Sequence, residues 1–213
     1  MSRPVLVIGA GGHGRVVSDA LRAAGRKVLG FLDAAANLEG AQIDGLPVLG
    51  NDNLLQDHPP ASVMLANGIG STVTTAARRR LYEQLKASGY EFETVCHPSA
   101  IISLSAELVS GAQIMAGAVL QPGVVVGEDT IINTGALIDH DCIVGAHCHV
   151  APGAVLSGAV RVGDGAHIGT AATVIQGVTI GAGALIAAGA VVVADVPDGA
   201  RMAGVPARVM GRR

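Results

Sequence analysis

Two short stretches concentrate the side chains that could do chemistry. Gly9-Ala10-Gly11-Gly12-His13-Gly14 has the spacing G-x-G-x-x-G, and Asp139-His140-Asp141-Cys142 is followed closely by His147-Cys148-His149. The glycines would let backbone close on a phosphate, and a helix starting there would add free N–H groups and partial positive charge. His140, flanked by acids, has the makings of a general base, because a carboxylate beside an imidazole raises its basicity. Plainer readings accompany both. Glycines also serve tight strand-to-helix turns, a surface histidine can simply be solvated, and His140, Cys142, His147, Cys148 and His149 together have the residue types of a zinc site.

The glycine motif has chemical meaning only between a strand and a helix. Val5 to Ile8 is an apolar strand, and Val16, Val17, Ala20, Leu21 and Ala24 follow at helical spacing until Gly25. Val28 to Leu32 reads as a second strand closing at Asp33, and Val63 to Ala66 as a third. A helix is predicted from Thr75 to Ser88, with Arg78, Arg79, Arg80, Glu83 and Lys86 on its wet side. This order predicts a small α/β, Rossmann-like domain over residues 1–95, with a parallel sheet faced by helices and too short for a full dinucleotide fold. Alone, the fingerprint suggests NAD, whereas a half-sized fold suits a mononucleotide portion. The expected pocket comprises Gly9, Gly11, Gly12, His13 and Gly14, with Asp33 for ribose hydroxyls. The stretch Asn67-Gly68-Ile69-Gly70-Ser71-Thr72, led by Asn67 and Gly68, is expected to form a second wall.

From Ile102 the period becomes six. Every sixth residue through Val192, sixteen in all, is aliphatic, with a small residue four positions later and glycine three later in most. That period predicts a parallel β-helix of triangular section over residues 96–213. One coil is then 18 residues, so residues 18 apart stack at about 4.8 Å. His140 stacks on Gly158, whose backbone N–H lies beside the imidazole, and His149 stacks on His167. Half a coil separates His140 from His149, so in one chain they project oppositely and can share a site only where two chains meet. The same register puts Cys142 and Cys148 in the small inward slot held elsewhere by Ala118, Ala136 and Ala154, which argues against zinc.

Composition removes several classes. Of 213 residues, 50% are hydrophobic and 15% charged, which excludes disorder, and the 30 glycines lack the collagen period. A charge of −3 with 2% aromatics argues against a nucleic-acid partner. No apolar run approaches the ~20 residues of a membrane span, and the start lacks a signal-peptide pattern, so a cytoplasmic protein with reduced cysteines is expected.

The hexads, the closing Gly204-Val205-Pro206-Ala207-Arg208 and the glycine-rich front half together resemble the left-handed β-helix hexapeptide-repeat acyltransferases, specifically the NeuD/PglD-like sugar acetyltransferases. Asn133-Thr134-Gly135-Ala136-Leu137-Ile138-Asp139-His140-Asp141-Cys142 is similar to the family's block around its catalytic base. The resemblance implies left-handed winding and a homotrimer with sites between subunits. It implies acetyl-CoA as co-substrate, no metal, and the nucleotide of a nucleotide sugar at the glycine loop. By the same resemblance His140 is the base, Asp141 orients it, and Gly158 offers its N–H to the acetyl carbonyl. His149 lies near the thioester, with Asn133, Thr170 and Ala188 also on the CoA side. The implied activity is N-acetylation of a nucleotide-linked aminodeoxy sugar in surface glycan biosynthesis. O-acetylation of a sugar or sialic acid is the alternative within the class. A non-catalytic nucleotide-binding scaffold trimer is the alternative outside it, and the acid-flanked His140 argues against that one.

Overall fold

The computed structural model describes residues 3–71 and 74–210. β1 (Val5–Ile8), α1 (Gly12–Ala23), β2 (Val28–Leu32), β3 (Gln42–Ile43), β4 (Leu46–Gly50), β5 (Met64–Asn67) and α2 (Ala76–Ala87) form the first unit. Its sheet runs β3-β4-β2-β1-β5, parallel except for the β3–β4 hairpin. All four residues of β1 are buried because both faces of the sheet are covered. Val5 and Val7 pack with Val17 and Leu21 of α1, while Leu6 and Ile8 pack with Tyr82 and Leu85 of α2.

Two features depart from the sequence reading. The hairpin β3–β4 was not foreseen, although its loop is Asp44-Gly45 with φ of 50° and 77°, the two-residue turn that suits the twist of a hairpin. Arg78 does not stand on the wet side of α2: it is 0% exposed and is turned inward to an acid on the second unit. Arg79, by contrast, stays exposed and pairs with Glu83 one turn on, at 2.7 Å.

The second unit is the β-helix. Its two-residue strands form three parallel ladders in which every partner from Val95 through Val192 is 18 residues away, as in Val119↔Leu137 and His149↔His167. The inward aliphatic residues from Ile114 onward and the small residues four later make one continuous buried core, including Cys142 and Cys148 at 0% exposure. The position three after each aliphatic residue is a left-handed corner from Gly111 to Gly189, occupied by Asp129, Asp141, His147, Ala159 and Ala171 where it is not glycine.

The three faces differ in what covers them. The docked face (strands at Gln113–Ile114, Ile131–Ile132, His149–Val150 and His167–Ile168) lies against the first unit, and Gln113 and Ile131 are sealed there. The ladder face (strands at Ile101–Ile102, Val119–Leu120, Leu137–Ile138 and Val155–Leu156) presents Ile101, Val119, Leu137 and Val155 outward, and Ile101 is 66% exposed. The third face carries Glu107, Ile143 and Arg161 outward. Among the described residues no helix is long and apolar enough to cross a membrane.

Candidate active site

A cleft of about 710 Å³ runs between the glycine motif and the docked face. Its floor is the start of α1, which begins at Gly12 inside the motif. The glycines there have three separate reasons to be glycine. A Cβ on Gly14 would lie 2.0 Å from the Gly9 carbonyl oxygen, and one on Gly68 would lie 2.6 Å from the same atom, so these two permit close packing of helix, loop and strand end. Gly9 sits at φ +100°, which disfavours any side chain. Gly11 and Gly12 have neither reason: φ is not positive and a Cβ would meet nothing within 4 Å. What they leave is bare backbone at a helix N-terminus, opening into the cleft.

Asp33 braces this loop. Its carboxylate accepts from the Ala10 N–H at 2.7 Å and from the Ala35 N–H at 2.9 Å, and its remaining lone pairs line the cleft. The far wall belongs to the β-helix and includes Asn133, Thr134, His149 and Pro152. Asn133 Oδ1 accepts the Thr134 N–H at 2.7 Å, so its amide nitrogen faces His149 Nε2 at 3.0 Å and donates to it. The His149 proton therefore sits on Nδ1, where both Ser71 oxygens can accept it, Oγ at 2.7 Å and the carbonyl at 3.1 Å. Burial, then the neighbouring His167 and His13, pushes His149 down to about 3, so it is neutral.

A polar network seals the junction beneath the cleft. Arg78 pairs with Asp129 at 2.8 Å, and both side chains are fully buried. The Arg78 guanidinium also donates to the Asn67 and Ile69 carbonyls at 2.8 and 2.9 Å. Asn67 donates to Asp129 at 3.0 Å and accepts the Ile69 N–H at 3.1 Å. His147 stands 3.1 Å from the other Asp129 oxygen. The sequence reading placed Asn67 in the pocket wall. Its side chain instead turns away into this network, because the strand end it occupies is buried against the β-helix.

His140 lies elsewhere, at the corner between the ladder face and the third face. Its Nδ1 is 2.8 Å from Asp141 Oδ2, and its backbone N–H donates to Asp139 Oδ1 at 2.7 Å. The bond to Asp141, with the charge of Asp139 second, raises its pKa above the ordinary value. With the proton on Nδ1, the lone pair of Nε2 is free. A Cβ on Gly158 would lie 2.6 Å from that Nε2, so a side chain one coil away would push the imidazole from this place. Among the described residues the Gly158 N–H has no acceptor. A free imidazole lone pair beside a free N–H is the equipment of acyl transfer: one takes a proton, the other meets a developing oxyanion.

The structure thus gathers Gly9, Gly11, Gly12, His13, Asp33 and Gly68 in one cleft and adds Asn133 and His149 to it, while His140, Asp141 and Gly158 stand apart. Thr170 and Ala188 continue, exposed, the ridge that Thr134 and Pro152 begin. Thr72 lies outside the described residues. Ser71 belongs to the stretch read as the second wall and does line the cleft, whereas sequence reasoning did not foresee the parts played by Arg78, Asp129 and Gln113. Among the described residues no group of three His, Cys, Asp or Glu side chains is placed to hold a metal ion.

Residues 4–85 match the family described as the PglD N-terminal domain, and residues 125–158 match the bacterial transferase hexapeptide of six repeats. No curated protein matches the chain. Among solved structures, the acetyltransferase domain of PglB from Neisseria gonorrhoeae is 38% identical, with 98% of this chain and 100% of that one covered and a TM-score of 0.91. PerB from Caulobacter crescentus, solved with CoA and GDP-perosamine, is 39% identical over 99% of each chain, with a TM-score of 0.91. WeeI from Acinetobacter baumannii is 27% identical over 98% of this chain and 100% of its own, with a TM-score of 0.80. Both halves are matched, in the same order and along the whole length: the chain is an acyltransferase and belongs to the NeuD/PglD-like family of hexapeptide-repeat sugar acetyltransferases.

Proposed function

We propose that the protein moves the acetyl group of acetyl-CoA to the amino group of a nucleotide-linked amino sugar, in a trimer whose sites each combine two chains. The observation that carries the nucleotide is the bare N-terminus of α1, where neither backbone conformation nor packing calls for Gly11 or Gly12 but close approach of a diphosphate does. PerB, solved with CoA and GDP-perosamine, supports the same pairing of ligands here.

The chemistry falls to His140. The sugar amine attacks the thioester carbonyl, and Nε2 takes the proton released as the C–N bond forms. The Gly158 N–H meets the oxyanion, the C–S bond then breaks, and the imidazolium returns its proton to the departing sulfur. Asp141 holds the tautomer that leaves Nε2 free. The nucleotide cleft of one chain does not contain that chain's own His140. The apolar ladder of Ile101, Val119, Leu137 and Val155 runs up to the His140 corner, and a second chain seated on it would carry His140 to a neighbouring cleft.

Coupled CoA release across a panel of nucleotide-linked 3-amino and 4-amino sugars tests the activity, with acetyl transfer to one of them as the expected result. Subunit exchange tests the assembly. His140→Ala mixed with a cleft variant, Gly12→Val, should regain up to about a quarter of wild-type activity per site, since one cleft in each 2:1 trimer is whole. Mixed trimers verified by mass that stay inactive would mean the site is built within one chain.

A further inference from the structure

One polar atom in the cleft has no task in the mechanism above: Nδ1 of His13. Its state follows from the buried network. The Gln113 side-chain amide, fully buried, sits 2.8 Å from the Asn67 carbonyl, which can only accept, so the nitrogen of Gln113 donates there. The other end of the amide is then an oxygen, and it faces His13 Nε2 at 2.8 Å. Nε2 must carry the ring proton. Nδ1 is left as a bare lone pair, with no donor among the described residues. It is open to the cleft, since the buried side-chain nitrogens and oxygens left unpartnered among those residues are Arg26 Nε and Arg78 Nη2. Burial, followed by the charge of Arg78, pushes His13 down to about 4, against the bond to Gln113, so the ring is neutral near pH 7.

A neutral ring with a bare lone pair is a poor partner for phosphate, whose oxygens also only accept, and a good one for a hydroxyl donor. Its position selects which hydroxyl. His13 is bonded to the β-helix through Gln113, a Cβ on Gly70 would touch its own Cβ at 3.1 Å, and its charge would bear on His149. That is the β-helix end of the cleft, where the sugar would lie if the diphosphate rests on Gly11 and Gly12. We propose that His13 is a specificity residue that accepts a hydrogen bond from a ring hydroxyl of the sugar, and that Gln113 is a positioning residue that fixes its tautomer. This assignment rests on the function proposed above.

The test compares kcat/KM for an amino-sugar nucleotide and its analogues singly deoxygenated at each ring hydroxyl. GDP-perosamine is the first probe, and any other amino sugar that the panel singles out would be treated in the same way. The wild type should prefer the parent over one analogue by about tenfold, the scale of one hydrogen bond. His13→Ala should treat that pair alike, with KM for acetyl-CoA unchanged. His13→Asn, whose Oδ1 can stand near the place of Nδ1, should restore part of the preference. Gln113→Ala should weaken it without abolishing turnover. Discrimination that persists in His13→Ala, or a wild type indifferent to every hydroxyl, overturns the assignment while leaving the activity intact. Absence of CoA release with every amino sugar overturns the proposed function itself.

Discussion

His140 and His149 stand nine residues apart on one β-helix and are tuned in opposite directions. His140 is exposed, sits between Asp139 and Asp141, and is held above its ordinary pKa. His149 is covered by the first unit, has both ring nitrogens bonded within the chain, and is pushed down to about 3. What differs is the cover. A corner left open to solvent keeps a charged form affordable and a lone pair available, whereas a docked face removes water and makes neutrality the stable state. The same repeat therefore leaves a free imidazole lone pair at an open corner and a neutral ring with both nitrogens bonded on the docked face.

The contrast breaks most sharply at Arg78. Arg78→Met takes the guanidinium from the buried Asp129, which keeps only its contacts to Asn67 and His147, so urea denaturation should show a loss of about 3–5 kcal/mol. Arg78→Met with Asp129→Asn removes both charges and should recover most of it; a double variant as unstable as the single one would mean that packing, not charge, holds the junction.

On the open corner the effect should be kinetic. His140→Ala should lower kcat by about 10² or more with melting unchanged, since that is the scale of a general base. The sign of the pH dependence follows from the raised pKa: the base is protonated, and kcat/KM falls, as pH drops through a midpoint above the 6.5 of free histidine. Asp141→Asn should move that acid limb to lower pH, and an unmoved limb would remove Asp141 as the tuning group.

A smaller effect should appear in acid. His13 and His149 have folded-state pKa values below the 6.5 of the unfolded chain, so the unfolded chain binds protons that the folded one refuses. Stability should fall as pH drops through the unfolded-state value of 6.5, by about 1.4 kcal/mol between pH 7 and pH 6 for two such groups. Denaturation at the two pH values in the His140→Ala background measures this, and a flat result would mean the junction histidines are protonated in the fold.

Much of this was legible residue by residue. Sixteen aliphatic residues at intervals of six dictate a β-helix, because no other regular structure returns a side chain inward at that period, and 18-residue stacking placed Gly158 against His140. The hairpin turn Asp44-Gly45 was also there to be read. Arg78 was not, since a helical pattern sorts arginine to the wet face beside Arg79 and Arg80. A clue did exist at its partner. Five left-handed corners of the β-helix carry a residue other than glycine at a cost of about 1 kcal/mol or more, and three of them, Asp129, Asp141 and His147, make a side-chain bond, unlike Ala159 and Ala171.

Sequence alone determined the elements, the coil register and the open His140–Asp141 corner, because these depend on periodicity and on neighbours in the chain. The docking of the first unit decided the rest: the burial of Arg78, the withdrawal of Asn67 from the cleft, the tautomers of His13 and His149, and the joining of Asn133 to the glycine loop. Those states are set by loss of water and by partners many residues distant, such as Gln113 for His13, and no local pattern encodes a distance that only the packed surface creates.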